Sequence, residues 1–309
     1  MERRASPEFP VPEQFATAMR EVYGESGVAW LGRLPSIVAA CAERWGVEVE
    51  APFALTYNYV APCRPADGTE AVLKVGYPSK ELFTELAALQ VFDGRGIAAL
   101  LDFDGDLGAM LLERLRPGEP LDARGDDVAA TSAAAGVMRA LWTPLPAGHG
   151  FPTVERWGQG FVRLRTAFVG GTGPFPAAMV DEAEELFASL SATAAPAVLL
   201  HGDLHHGNIL SAQRAPWLAI DPKGVAGEPA YEPGALLRNP PDLHDWPDAA
   251  ASTARRVSQL ADELALDRAR LRGWAFAQAV LSAWWTWEDH GRLDEHGLAC
   301  ARWLAAAPG

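Results

Sequence analysis

The chain has 309 residues, 49% of them hydrophobic, and carries a formal net charge of −14 at neutral pH. That length and apolar content suffice for two lobes with buried cores and exclude a disordered chain on composition. The acidic balance argues against nucleic acid or an anionic membrane surface as the main partner, and suits a cationic small molecule.

In chain order, the charged N-terminal stretch MERRASPEFPVPEQF has no apolar run behind it, so no secretory leader is expected. No run of about 18 apolar residues suggests a membrane span. Residues 28–46 show helical spacing, with Trp30, Leu31, Ile37, Val38, Cys41 and Trp45 as candidate core positions. Residues 53–63 turn β-rich. Asp67-Gly68 is a hairpin signal, and Glu70–Val75 is the returning strand. Residues 79–93 predict a helix capped by Ser79, with Leu82, Leu86 and Leu89 on one face. Two short apolar segments, Ala98–Phe103 and Ala109–Leu112, flank Asp104-Gly105-Asp106 as a second hairpin.

Beyond Arg116-Pro117-Gly118 the pattern becomes helical, at 126–142, 154–168 and 178–194. A short strand, Ala197–Leu200, precedes the loop His201–Gly207. Asn208–Leu210 and Trp217–Ile220 read as a strand pair, and helices follow at about 250–265, 267–286 and 293–306. The expectation is an α+β chain, with a β-rich N-terminal lobe over residues 1–115 and a mostly helical C-terminal lobe over 116–309. Cys41, Cys63 and Cys300 are widely spaced, with no C-x-x-C pair. They fit a reduced cytoplasm better than a disulfide framework or a zinc site.

The stretch with the most chemistry is LLHGDLHHGNILSAQRAPWLAIDPKG, residues 199–224. A strand opens onto His201-Gly202-Asp203, Asn208 follows five residues later, and a second strand ends at Asp221. Phosphoryl transfer uses such a set: one carboxylate to receive the proton of an attacking hydroxyl, and an amide with a second carboxylate to hold Mg²⁺ against nucleotide phosphates. Asp203 suits the first task, Asn208 and Asp221 the second. The spacing His-x-Asp-x-x-x-x-Asn matches a kinase catalytic loop, with Gly202 where protein kinases carry Arg. The alternative for the loop alone is a polar turn between two strands.

Only three of the 26 basic residues are lysines, Lys74, Lys80 and Lys223. Lys74 stands in the apolar run Val72-Leu73-Lys74-Val75, as a phosphate-contacting strand lysine would. A buried ammonium needs a partner, and Glu85 on the next helix can provide it, with Glu81 one turn earlier as the rival. A strand-edge lysine reaching solvent is the alternative.

With these residues in view, the chain resembles the aminoglycoside phosphotransferase superfamily, in particular the streptomycin 6-kinase and hydroxyurea-resistance kinase branch. HGDLHHGNIL and IDPKGVAGEPAYEPGALLRNP carry the likeness, joined by AVLKVG, TELAAL and MLLERL. The resemblance implies a protein-kinase-like bilobal fold and ATP as phosphoryl donor, with Asp203 as base and Asn208 and Asp221 as Mg²⁺ ligands. It also implies Lys74 with Glu85 as the phosphate-anchoring pair, and Glu113 and Leu115 as hinge residues offering backbone bonds to adenine. Glu232 would brace the catalytic loop. The stretch Phe53–Tyr59 departs from the pattern, because it lacks the glycines that cover phosphates in protein kinases. Asn58 is the candidate left in that place. A protein kinase is disfavoured because no DFG and APE bracket an activation segment. A non-catalytic nucleotide binder has no need of the full set of Lys74, Asp203, Asn208 and Asp221.

On the acceptor side, AQAVLSAWWTWEDHGR places Trp284, Trp285, Trp287, Glu288 and Asp289 together. Carboxylates beside aromatic faces suit a hydroxyl-rich cation such as a streptomycin-like guanidino sugar. The bland alternative is a helix core followed by a solvated helix end. His205 and Lys223 flank the catalytic motifs. His205 can orient the loop, and Lys223 can touch phosphate or substrate or form a structural ion pair. The expected partner is a small molecule, with no protein partner implied, and a hydroxyurea-like or other small alcohol or amine acceptor is the second possibility.

Overall fold

The computed structural model describes residues 11–122 and 125–308. The first ten residues, which carry most of the leader argument, lie outside that range. Two compact units emerge, one holding the residues up to Gly94 with Ala98–Arg114, the other Arg95–Ile97 with the residues from Leu115 onward. The segment Arg95–Ile97 joins the second unit because the Ala219 N–H donates to the Gly96 carbonyl (2.8 Å) and Ile97 bridges to Ala219.

The first unit is a five-stranded antiparallel sheet with two helices. Its elements are α1 (Glu13–Trp45), β1 (Val47–Val49), β2 (Asn58–Pro65), β3 (Ala71–Gly76), α2 (Lys80–Phe92), β4 (Leu100–Asp104) and β5 (Ala109–Glu113), in the sheet order β1-β2-β3-β5-β4. Strand alternation decides which side chains meet which layer. Tyr59, Ala61 and Cys63 of β2 and Leu73 and Val75 of β3 cluster with Phe15, Met19, Trp30, Leu34, Val38 and Cys41 of α1. Lys74, between Leu73 and Val75, therefore points to the opposite face.

The sequence reading found α1 only from residue 28. The helix starts fifteen residues earlier and bends at Gly24, whose φ of 58° breaks the helical run. Before that bend only Phe15 and Met19 are buried, too few to mark a periodic face. β1 was not expected, and the strand expected over 53–63 begins at Asn58. Its first residues are held instead by a Phe53 N–H bond to the Val60 carbonyl.

The second unit is mostly helical. It contains α3 (Asp127–Leu141), β6 (Thr143–Pro144), α4 (Val154–Ala167), α5 (Ala177–Ala192) and β7 (Val198–Leu200). Next come β8 (Ile209–Ser211), β9 (Trp217–Ala219), β10 (Val225–Gly227), α6 (Pro233–Leu237), α7 (Ala249–Leu264), α8 (Arg268–His290) and α9 (Glu295–Ala306). α8 is the central element. It packs against α4, α5, α6, α7 and α9, and from Gly273 to Leu281 every residue is buried. A helix apolar on all sides belongs in a core. Two small antiparallel sheets, β10-β7-β6 and the β8–β9 hairpin, carry the stretch His201–Asp221 between them. Among the described residues no helix is long and apolar enough to cross a membrane.

Candidate active site

β7 delivers the chain into the His201–Gly207 loop, a single 3₁₀ turn at His206–Asn208 closes it, and β8 and β9 lead on to Asp221. Three sets of bonds hold this stretch. Ile220 N–H donates to the Asn208 carbonyl (3.0 Å), and Lys223 and Gly224 N–H both donate to the His201 carbonyl (2.8 and 3.1 Å). The His201 ring joins the two motifs a second time. Its Nε2–H donates to the Ile220 carbonyl (2.7 Å), and its Nδ1 accepts from the Asp203 N–H (3.2 Å). Those partners require the neutral tautomer with the proton on Nε2. Burial enforces it by holding the imidazole pKa down at about 4.

The third anchor is Glu232, 1% exposed, beneath the loop. One carboxylate oxygen accepts from His201 N–H (2.7 Å) and the other from Gly202 N–H (2.9 Å). Burial raises its pKa to about 7, against the lowering effect of those two amide bonds. Asp203 is gripped through its backbone: besides the N–H bond to His201, its carbonyl accepts from the Asn208 amide Nδ2 (2.9 Å). The carboxylate stays half-exposed, and none of the described residues hydrogen-bonds it.

That Asn208 contact also tests the fit to a metal. With Nδ2 committed to a carbonyl, the side-chain oxygen is the end left to serve as a ligand. Asp221 is exposed and adopts a left-handed φ of 59°, a conformation that Asp tolerates better than most residues. Among the described residues no three His, Cys, Asp or Glu side chains are grouped to hold a metal ion. An amide oxygen plus one carboxylate, completed by phosphates and water, is the donor set Mg²⁺ takes at nucleotide sites.

In the first unit, Lys74 is 2% exposed and its Nζ lies 2.5 Å from Oε1 of Glu85 on α2. Glu85 is thus the partner, whereas Glu81 is exposed. Asn58 opens β2 opposite Gly76. A Cβ on Gly76 would sit 2.7 Å from the Asn58 side-chain oxygen, so the glycine makes room for the amide. Glu113 ends β5 with its N–H donated to the Ala99 carbonyl and its carboxylate accepting from the Ala99 N–H (both 2.9 Å). Any bond from its backbone to adenine would have to use its carbonyl. Leu115 is 6% exposed in the second unit.

The acceptor-side expectations need correction. Trp284 is 3% exposed and packs against Phe168 and Phe175, so it is a core ring and offers no face to a ligand. Glu288 is not an isolated carboxylate. It makes a bidentate pair with Arg163 of α4, with Nε–Oε1 at 2.7 Å and Nη2–Oε2 at 2.9 Å. Asp289 is exposed beside it near the end of α8. His205 spends its Nδ1 on the Gly207 N–H (3.1 Å), capping the 3₁₀ turn, which makes it a loop-orienting residue. Lys223 is exposed, with its Cβ close to Gly202. Sequence reasoning missed Trp157, whose indole lies directly on Gly202. Nothing in the periodicity of residues 154–168 singled it out.

The profile of the family described as aminoglycoside/hydroxyurea antibiotic resistance kinase matches residues 44–291. A streptomycin 6-kinase from Streptomyces glaucescens is 33% identical over 304 residues, covering 95% of this chain and 96% of the relative. A hydroxyurea phosphotransferase from Kitasatospora aureofaciens is 34% identical over 318 residues, covering 99% and 89%. Among solved structures, a choline kinase from Streptococcus pneumoniae superposes with a TM-score of 0.61 at 14% identity, covering 88% of this chain and 99% of that one. An aminoglycoside phosphotransferase in ternary complex with ADP and hygromycin B gives 0.58 at 15% identity, covering 88% and 98%. Both structural likenesses establish the kinase-like fold.

Proposed function

This chain belongs to the aminoglycoside/hydroxyurea antibiotic resistance kinases, and from that premise we propose that it inactivates an aminoglycoside, streptomycin above all, by phosphorylating one of its hydroxyls. It is a phosphotransferase that uses ATP and an alcohol-group acceptor. The observation that carries the reading is the loop at Asp203: His201 and Asn208 bond the Asp203 backbone, Glu232 holds the His201 and Gly202 N–H groups before it, and the Asp203 carboxylate has no hydrogen bond from the described residues.

In this reading Asp203 accepts the proton of the acceptor hydroxyl as that oxygen attacks the γ-phosphorus of ATP. The bond to the bridging oxygen breaks, and ADP leaves with the electron pair. Lys74, oriented by Glu85, would anchor the nucleotide phosphates, with Asn58 as a further candidate to meet them. Glu113, through its carbonyl, and Leu115, through its N–H, would be the residues offering backbone bonds to adenine. Asn208 and Asp221 would hold Mg²⁺, which would supply neutralising charge for the phosphates. Glu232 is a positioning residue. Three free, buried cysteines support a reduced cytoplasm as the working compartment.

Hydroxyurea stays in play as an acceptor, since relatives of both activities are about equally similar. The test is an ATP-consumption screen over streptomycin, other aminoglycosides, hydroxyurea and small amino alcohols, with the product identified by mass. Streptomycin phosphate is the expected product. Asp203→Ala should lower kcat by about 10²–10⁴ while nucleotide binding persists. Undiminished turnover in that variant would remove Asp203 from the mechanism.

A further inference from the structure

Gly202, between the two motif residues His201 and Asp203, has a φ of +85° and no room for a side chain. A Cβ there would lie 2.9 Å from Cη2 of Trp157, 3.0 Å from Cγ1 of Val225 and 3.3 Å from Cβ of Lys223. The indole of Trp157 therefore fills the space a side chain at position 202 would need. Its position is fixed by the fold. Trp157 lies in the first turn of α4, whose N-cap Thr153 accepts from Arg156 N–H (3.2 Å) and bridges to Ala226 of β10. The Ala226 N–H donates to the Pro152 carbonyl (2.8 Å), and β10 pairs with β7, the strand that delivers the loop.

A second ring continues this surface. Trp285 of α8 meets Trp157 edge to face, with centroids 5.7 Å apart at 79°. Gly160, one turn along α4, leaves room for it: a Cβ there would be 3.3 Å from the Trp285 indole nitrogen. Trp157 and Trp285 remain half-exposed, while Trp274 and Trp284 on the same central helix are sealed at 1% and 3%. One helical turn beyond Trp285 this surface ends at the bidentate Arg163–Glu288 pair, whose charges are already matched.

We propose that Trp157 and Trp285 form the acceptor-binding wall of this enzyme, selecting a hydroxyl-bearing cation that lies across both rings. The inference rests on the kinase reading and names the chemistry of its acceptor. Aromatic faces attract guanidinium and ammonium groups, and two adjoining rings offer such a cation more surface than one. From Gly202 across the two rings, whose centroids are 5.7 Å apart, is on the order of 10 Å. A guanidino-cyclitol spans that length; a molecule the size of hydroxyurea covers the first ring alone.

The experiment compares wild type, Trp285→Ala, Trp157→Leu and Trp157→Phe, each checked for an unchanged melting temperature. KM and kcat are measured for streptomycin and for ATP, and streptomycin binding by calorimetry. Trp285→Ala and Trp157→Leu should each raise the streptomycin KM and Kd about tenfold with the KM for ATP unmoved. Trp157→Phe, which keeps an aromatic face, should restore most of the loss. Streptomycin constants that ignore both substitutions overturn the wall while an active wild type preserves the kinase reading. A wild type that phosphorylates no acceptor in the screen defeats the kinase reading instead. In that event calorimetry decides the wall, which falls if wild type does not bind streptomycin or binds it no better than Trp285→Ala.

Discussion

Glu232 shows how one buried side chain sets the geometry of a loop it does not belong to. Its two oxygens take the adjacent N–H groups of His201 and Gly202, at 2.7 and 2.9 Å. Both donors come from a turn that left-handed Gly202 makes possible, and without the carboxylate they would be buried and unpaired. Glu232→Gln has nearly the same shape but replaces one acceptor with an NH₂ donor. One of the two amides would then face a donor, at a cost of about 1–3 kcal/mol in stability. Because the loop carries Asp203, kcat should fall more than the KM values change. Denaturant melts and steady-state kinetics check this; a variant with wild-type kcat and stability would show that the loop holds its shape without Glu232.

At the scale of elements, β3 illustrates what alternation can and cannot reveal. The Asp67-Gly68 turn and the apolar run after it made the β2–β3 hairpin legible, and placing Lys74 between Leu73 and Val75 put it on the face away from α1. Ser79 was legible as a cap because its hydroxyl accepts the Leu82 N–H as the pattern requires. α8 was not legible in the same way. A helix buried on nearly all sides has no polar face to orient it, so Trp284 and Trp285 look alike in sequence although the first is core and the second half-exposed. The Arg163–Glu288 pair and the contact of Trp157 with Gly202 join residues far apart in the chain, and no local pattern encodes them. The Lys74–Glu85 pair permits a test that separates structure from chemistry. Lys74→Met should cost about 3–5 kcal/mol, because it takes the ammonium charge away from the buried Glu85 carboxylate. Adding Glu85→Leu should recover much of that stability, since both charges are then gone. Phosphoryl transfer should stay low in the double variant, with a raised KM for ATP. If activity returned together with stability, the pair would serve packing alone and the phosphate-anchoring role would be lost.

For the molecule as a whole, buried titratable groups near the catalytic loop set how stability responds to acid. His201 and His206 are held neutral by burial, with pKa values lowered to about 4 and about 3, and His205 is lowered for the same reason. The unfolded chain takes up these protons near pH 6.5. Between there and the folded values the unfolded state binds more protons, so the stability these histidines contribute above pH 6.5 is lost as the pH falls. Glu232 acts in the opposite sense: its raised pKa of about 7 means the folded state binds a proton first, so its contribution grows as the pH falls from 7 toward its unfolded value near 4.5. With His201 and His206 opposing one carboxylate, the enzyme without nucleotide should lose roughly one proton's worth of stability, about 1.4 kcal/mol per pH unit, between pH 6.5 and 4.5, with His205 steepening the slope. Neither ring nitrogen of His206 has a hydrogen-bond partner among the described residues, so His206→Leu removes a titrating group without breaking a described bond. That variant should flatten the acid limb, and Glu232→Gln should steepen it. Urea titrations across this pH range, with and without each substitution, read both slopes directly. If the two substitutions shifted the slope in the same direction, these buried groups would not be what sets the acid response.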